Sequence, residues 1–321
     1  MMFRIGILSF IFVFGCTAKD TDTDTETDTD TDTDTEEATL ESLELVPSAE
    51  SVSTREKVTF AVTAYYDDGS SSDVTSESSF TSSDTEILLV GTDGSGQPVN
   101  GGTVSVSAGY GGMEVSGSIV ISLAAPEAGD IVMNEILADA TVDGDPNGDG
   151  AVDSVEDEFI ELANASDVAV DLSGAQIYEQ DFEFLARHTF PDGTVLRAGE
   201  ALVIFGGGDV DSLSAENVQY VTVQNEDPGQ QYGLALTDSG DAVRLLSADG
   251  MSELASFAYG TESTSIPSVA DQSLNLNPDI WGTVYAAHGS IAGTVGAYSP
   301  GTWVDGSAFV GPAARYAAEE D

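Results

Sequence analysis

Basic residues are scarce in this chain. Eight Lys and Arg stand against 57 Asp and Glu, a formal charge of −49 over 321 residues. Backbone binding to nucleic acid needs cations that displace counterions, so no nucleic-acid partner is expected. The same charge disfavours adsorption to anionic lipid and favours solubility and divalent cations. Cysteine is nearly absent: Cys16 alone rules out an intrachain disulfide. Only two histidines occur, His188 and His288, each in an ordinary strand or Gly/Ala-rich setting. With no cysteine near them, a shared zinc site is not expected. The Gly206–Gly208 run is followed by Asp209 rather than the Lys and Ser or Thr of a phosphate cradle, so it reads as a loop. No Gly-x-Ser-x-Gly elbow occurs. Beyond Phe14 no apolar run approaches the roughly 20 residues that span a bilayer.

What is present begins with a leader. Arg4 supplies a positive start, and Ile5 to Phe14 is apolar apart from Gly6 and Ser9. That run is too short to span and suits a signal peptide. It ends in Val13-Phe14-Gly15-Cys16, which resembles a bacterial lipobox. The resemblance implies cleavage before Cys16, lipidation of that residue, and a membrane partner held through more than one acyl chain. An ordinary signal peptide with a chance cysteine is the alternative. Thr17, a non-Asp residue after the cysteine, points by similarity to enteric sorting toward the outer membrane or cell surface.

Residues 17–39 follow as a linker. Asp20 to Glu37 alternates Thr with acid and contains no apolar side chain. Self-repulsion and the lack of anything to bury predict an extended stalk, on the order of 60 Å at ~3.3 Å per residue. A weak calcium sponge and an O-glycosylated stalk are further readings of the same composition.

From Leu40 the hydrophobic period becomes two. Val58, Phe60, Val62 and Ala64 share one face of "KVTFAVTAYY"; Val104 and Val106, then Ile119, Ile121 and Leu123, repeat the pattern. Gly, Ser and Asp clusters separate these runs, and no amphipathic helix of useful length is visible. The fold class predicted is all-β, two tandem Ig-like β-sandwiches. Residues 40–123 resemble a bacterial Ig-like (Big) domain. They carry the early Val46-Pro47, the turn "YDDGSSSDVT" at 66–75, Ser82-Ser83-Asp84, and the late strand from Gly102-Thr103. Phe80 stands where the family has Trp, and the early Gly is missing from "STREK". The resemblance implies a spacer or adhesive module.

After a linker at 124–129, residues 130–310 are expected to form the second sandwich, with 311–321 as a tail. The wording over 130–305 resembles the lamin-tail domain family. It holds Ile131…Asn134-Glu135-Ile136, Glu158-Phe159-Ile160-Glu161-Leu162…Asn164, and Val170-Asp171-Leu172-Ser173-Gly174. Then come "FPDGTVLRAGE" at 190–200, "LALTDSGDAVRL" at 234–245, Ser273-Leu274-Asn275 and Ser299-Pro300-Gly301. "YGLALTD" at 232–238 is expected to be one of its strands. Within it, Glu135 and Glu161 are the most interesting acids; a hydrogen-bonding role in the sheet is the plainer reading and a carboxylate-dependent hydrolase the sharper one.

The stretch "DPNGDGAVDSVE", 145–156, fits D-x-[DN]-x-[DN]-G-x₅-E at every fixed position. Asp145, Asn147 and Asp149 place side-chain oxygens at positions one, three and five. Gly150 permits the turn, Ala151 offers its carbonyl, Asp153 acts directly or through water, and Glu156 closes the shell. All donors are oxygen, which suits calcium as the cofactor. Strand-like residues flank the loop on both sides, so it reads as an EF-hand-type loop inserted into a sandwich; a solvated acidic turn is the alternative.

No catalytic constellation is legible, so a non-enzyme is expected: a surface module for adhesion or display that binds an extracellular protein or glycan. Since lamin-tail-like domains often accompany exported hydrolases, an accessory role beside such an enzyme is the second expectation.

Overall fold

The computed structural model describes residues 38–138, 144–179, 186–224 and 233–311. The leader with Cys16, the Thr-Asp repeat and the tail from 312 lie outside the described residues. Every regular element of useful length is a strand, and the protein is all-β.

Residues 40–122 build two facing sheets. One runs in the order Leu40–Pro47, Val58–Tyr66, Ser95–Pro98, Leu88–Val90, with Ser71–Asp73 also pairing with Val58–Tyr66. The other runs Ser51–Ser53, Met113–Ser122, Gly102–Tyr110, Ser79–Ser82. The period-two reading holds at each long strand. Val58, Phe60, Val62 and Ala64 are buried, as are Val104, Val106, Ile119 and Ile121. Alternation arises because successive strand side chains point to opposite faces and only one face meets the other sheet. Phe80, at the family's Trp position, packs against this core.

Residues 131–287 build a larger assembly. Its main sheet has six strands, ordered Val218–Thr222, Ala201–Phe205, Phe159–Asn164, Ile131–Leu137, Leu274–Asn277, Val284–Ala287. Facing it is a four-stranded sheet of His188–Thr189, Gln176–Glu179, Ala242–Leu246 and Glu253–Ala258. One pair, Ala201–Phe205 with Val218–Thr222, is parallel. The central strands do not alternate in burial: every residue of Phe159–Asn164 and Ala201–Phe205 is buried. Both faces are covered. Ile160, Leu162, Leu202 and Ile204 pack toward the four-stranded sheet. Phe159, Val203 and Phe205 pack on the opposite side with Leu213, Tyr220 and Tyr298, while Ala163 and Ala201 meet Ile280 and Phe309. The chain after Asn277 therefore acts as a third layer over the outer face.

Of the strand expected at 232–238, residues 233–238 are described, and they are not a strand. Gly233 and Ala235 both have positive φ, +57° and +56°, which breaks an extended run. Leu234 and Leu236 are nevertheless buried in the core, so the apolar spacing reported burial rather than extension.

Between the two sheet systems Thr54 is buried; its hydroxyl donates to the Ala169 carbonyl at 2.7 Å and accepts from the Ala124 amide at 3.0 Å. Arg55 pairs with Asp130 at 2.5 Å and Arg197 with Glu86 at 2.6 Å.

Candidate functional site

Two sites follow from the sequence: the buried carboxylates and the acidic loop. Glu135 and Glu161 sit directly opposite each other on neighbouring antiparallel strands. A register shift between Met133 and Glu135 marks a bulge in the first of them. Consecutive strand residues ordinarily point to opposite faces; a bulge re-aims one. Here Asn134 and Glu135 both reach the chain that covers the outer face. Glu135 accepts from the Ser273 hydroxyl (2.5 Å), the Ser299 amide (2.8 Å) and the Ser299 hydroxyl (2.7 Å). Glu161 accepts from the Asn134 amide group (2.8 Å) and the Gly301 amide (2.6 Å). Asn134 also donates to Asp279 and accepts from the Ile280 amide at 2.7 Å. The four short motifs Asn134-Glu135, Ile160-Glu161-Leu162, Ser273-Leu274-Asn275 and Ser299-Pro300-Gly301 thus meet in one buried network.

Burial pushes Glu135 up to about 7, against the pull of Ser273 and Ser299. Burial and then the neighbouring Glu135 charge hold Glu161 well above the ordinary carboxylate range. Two carboxylates opposed in a dry interior cannot both ionise cheaply. His288 lies with Nδ1 3.7 Å from Glu135, 3.3 Å from the Ser273 hydroxyl and 2.9 Å from Asn275 Oδ1. Burial lowers its pKa, so it is a neutral polar neighbour and not an ion-pair partner. Ser, His and Glu are together, but the serine lies between the other two, and Glu135, Glu161, Ser273 and His288 are 0 % exposed. What the arrangement does chemically is bind the chain around 273–301 to the sheet. His188 belongs elsewhere: it accepts from the Gln224 amide and meets Phe190 edge-on at 4.6 Å.

The loop 145–156 is seated on glycines. Gly206 and Gly207 donate to the Glu158 and Glu156 carbonyls at 2.8 and 3.1 Å, extending the strand ladder to the loop's end. A Cβ on Gly206 would run into the Val155 carbonyl; one on Gly207 would lie 2.9 Å from Glu156 Cγ; one on Gly208 would strike Asn147 and approach Asp149 Oδ2 to 2.7 Å. The Gly206–Gly208 run, read from sequence only as a loop, is the floor on which the acidic loop rests. Its signal was available: three consecutive glycines mark close approach of another backbone.

Asp145 accepts from the Asp149 amide (3.1 Å) and the Gly150 amide (2.8 Å), Asp149 from Ala151 (2.8 Å), and Asp153 from Val155 and Glu156 (2.9 and 3.1 Å). Gly148 and Gly150 take positive φ, 73° and 90°, as the turns of such a loop require. Asn147 is 1 % exposed and donates toward the Gly207 carbonyl. Asp145, Asn147, Asp149 and Ala151 are therefore gathered in one turn, with Asp153 and Glu156 on the next. Among the described residues no three His, Cys, Asp or Glu side chains are drawn together tightly enough to form a metal cluster; the loop's carboxylates hold backbone amides instead. Asp157, which the motif does not include, is 0 % exposed, with Oδ2 accepting from the Asp153 amide at 2.7 Å.

The fold places the chain among all-β proteins built of facing, mainly antiparallel sheets. One region can be placed further: residues 124–261, less than half of the chain, match the family model of the Lamin Tail Domain. That span holds the Asn134-Glu135 and Ile160-Glu161-Leu162 motifs and the acidic loop. No curated protein matches. Among solved structures, domains 4–9 of the surface layer protein SbsC are similar at 15% identity and a TM-score of 0.24, covering 69% of this chain and 31% of that one. Domains 5–6 of SbsC share 15% identity at a TM-score of 0.24, covering 69% and 97%. A DUF4876 family protein from Bacteroides thetaiotaomicron shares 13% at 0.25, covering 59% and 53%. This chain thus spans less than a third of the first fragment, and likenesses at these TM-scores carry no functional argument. Among the described residues no helix is long and apolar enough to cross a membrane.

Proposed function

We propose that the protein is a non-enzymatic, lipid-anchored surface module. In this reading Cys16 carries the lipid and the Thr-Asp repeat is the stalk. The Big-like region and the lamin-tail region form tandem display domains, and loop 145–156 takes one structural calcium ion. The observation that carries the reading is the use made of the two acids that the sequence marks out. Glu135 and Glu161 are wholly buried, and their oxygens are taken up by Ser273, Ser299, Asn134 and Gly301. Carboxylates so occupied hold chain together and have no face to offer a substrate.

The calcium part rests on the gathering of Asp145, Asn147 and Asp149 over the Gly206–Gly208 floor. Loop geometry and an oxygen-only donor set suit a hard cation at extracellular levels, with affinity on the order of 10⁻⁴ M or tighter. The test is a pull-down from envelope extract with tagged protein, with calcium and with chelator, beside a glycosidase and esterase panel. Capture of a surface protein or glycan without turnover is the expected result. Capture of an exported hydrolase would favour the accessory role, and turnover lost on a single carboxylate change would overturn the reading.

A further inference from the structure

We propose that Asp157, one residue beyond the motif, closes the calcium shell from the protein interior, in the place the spacing assigns to Glu156. This rests on the calcium reading above and names the ligand that completes it.

A carboxylate oxygen without a partner in a dry interior costs free energy, and native structures seldom leave one. Asp157 Oδ1 is such an atom: buried, with no hydrogen-bond partner among the described residues. Its fellow oxygen accepts from the Asp153 amide at 2.7 Å. The Asn147 backbone amide and the charges of Asp145 and Asp149, all in the first turn of the loop, act on the same carboxyl group. A cation between these three acids would satisfy the orphaned oxygen and remove their mutual repulsion together.

Glu156 is placed differently. It is partly exposed, its side chain lies along Gly207, and its carbonyl is committed to the Gly207 amide at 3.1 Å. Glu156 is therefore held at the rim, while Asp157 is held inside by burial and by the strand ladder that begins two residues later. Tyr298 lines the same interior: the charges of Asp157 and Asp145 both act on its hydroxyl.

The experiment is calcium titration by calorimetry on the full chain, with Asp157→Asn, Glu156→Gln and Asp145→Asn variants, and each variant's melting in chelator. Asparagine keeps an oxygen for the Asp153 amide and removes the charge, so the chelated fold is expected to survive. Terbium luminescence excited through tyrosine reads the same site independently, because Tyr298 adjoins it. The expected result is a loss of at least tenfold in calcium and terbium affinity for Asp157→Asn and Asp145→Asn, and a loss under threefold for Glu156→Gln. Binding by Asp157→Asn within twofold of the parent, or a larger loss in Glu156→Gln, would overturn the assignment while leaving the calcium reading intact. No binding by the parent chain would remove both.

Discussion

The two sheet systems are held together by different chemistry. In residues 40–123 the buried polar side chains are Thr54 and Ser78, and the interior is otherwise aliphatic and aromatic. In the lamin-tail region and the chain after it, Asn134, Glu135, Asp157, Glu158, Glu161, Asn164, Glu179, Arg187, Asp241, Ser273, Asn275, Asp279 and His288 are all buried. The first region closes by apolar contact between two faces. The second must also fasten long irregular segments onto a sheet buried on both sides, and irregular chain needs partners for its backbone groups. Buried carboxylates supply them, as at Gly301, Ser299 and Val304, whose amides go to Glu161, Glu135 and Asp279.

The largest effect is expected where that polar fastening is cut. Glu135→Ala would strand both Ser299 donors and leave the Ser273 hydroxyl only longer contacts such as that to Asn275, and is expected to cost about 4 kcal/mol, each buried unsatisfied group being worth ~1–3. Glu135→Gln, which keeps an acceptor and carries no charge, should cost far less. Chemical denaturation of both variants measures the gap; equal losses would mean that volume and not hydrogen bonding is what matters there. Next, Leu88→Ala, in the apolar interior of the first region, is expected to cost about 3 kcal/mol through cavity formation, with no dependence on pH. A loss below ~1 kcal/mol would show that this core is loosely packed.

The pH responses should also diverge. Glu135 and Glu158 are pushed up by burial to about 7 and about 9, and burial raises Glu161 and Asp279 as well. A raised acid keeps its proton in the folded state after the unfolded chain, with an ordinary glutamate near 4.5, has lost it. Folded protein then binds more protons, so stability is fullest below that value and declines as pH rises toward 9, by up to about 1.4 kcal/mol per unit for each group. In the first region Glu56, Asp68, Asp73 and Asp93 are shifted the other way, lowered mainly by turn hydrogen bonds. Their contribution is present above the unfolded value and fades only in acid. Amide exchange in chelator, corrected for intrinsic rate, should therefore lose protection in Ile131–Leu137 between pH 5 and 8 while Val58–Tyr66 holds. Glu158→Gln should flatten that slope. The smallest effect is expected at the junction: Arg55→Ala removes a partly exposed pair with Asp130 and should cost ~1 kcal/mol or less, read by thermal melting.

Legibility followed the same division. Val58, Phe60, Val62 and Ala64 were readable as a core face because alternation is a local consequence of one buried side. The Asn134-Glu135 and Ser299-Pro300-Gly301 motifs could be seen in the chain, but not that they touch: 164 residues separate Glu135 from Ser299. The bulge that turns Asn134 and Glu135 the same way, and the glycine floor under Asn147 and Asp149, are equally non-local. The strand expected at 232–238 failed because its leucines are buried from a loop that Gly233 and Ala235 bend.

By itself the sequence determined the all-β class, the period of each half-buried strand and the crowding of oxygen donors at 145–156, since these depend on neighbours within a few residues. Only the tertiary structure decided that the two marked glutamates are spent inside, that Asp157 carries the unanswered oxygen, and which segment covers the outer face. Those outcomes depend on what distant chain is packed against each group, and burial is a property of the packing.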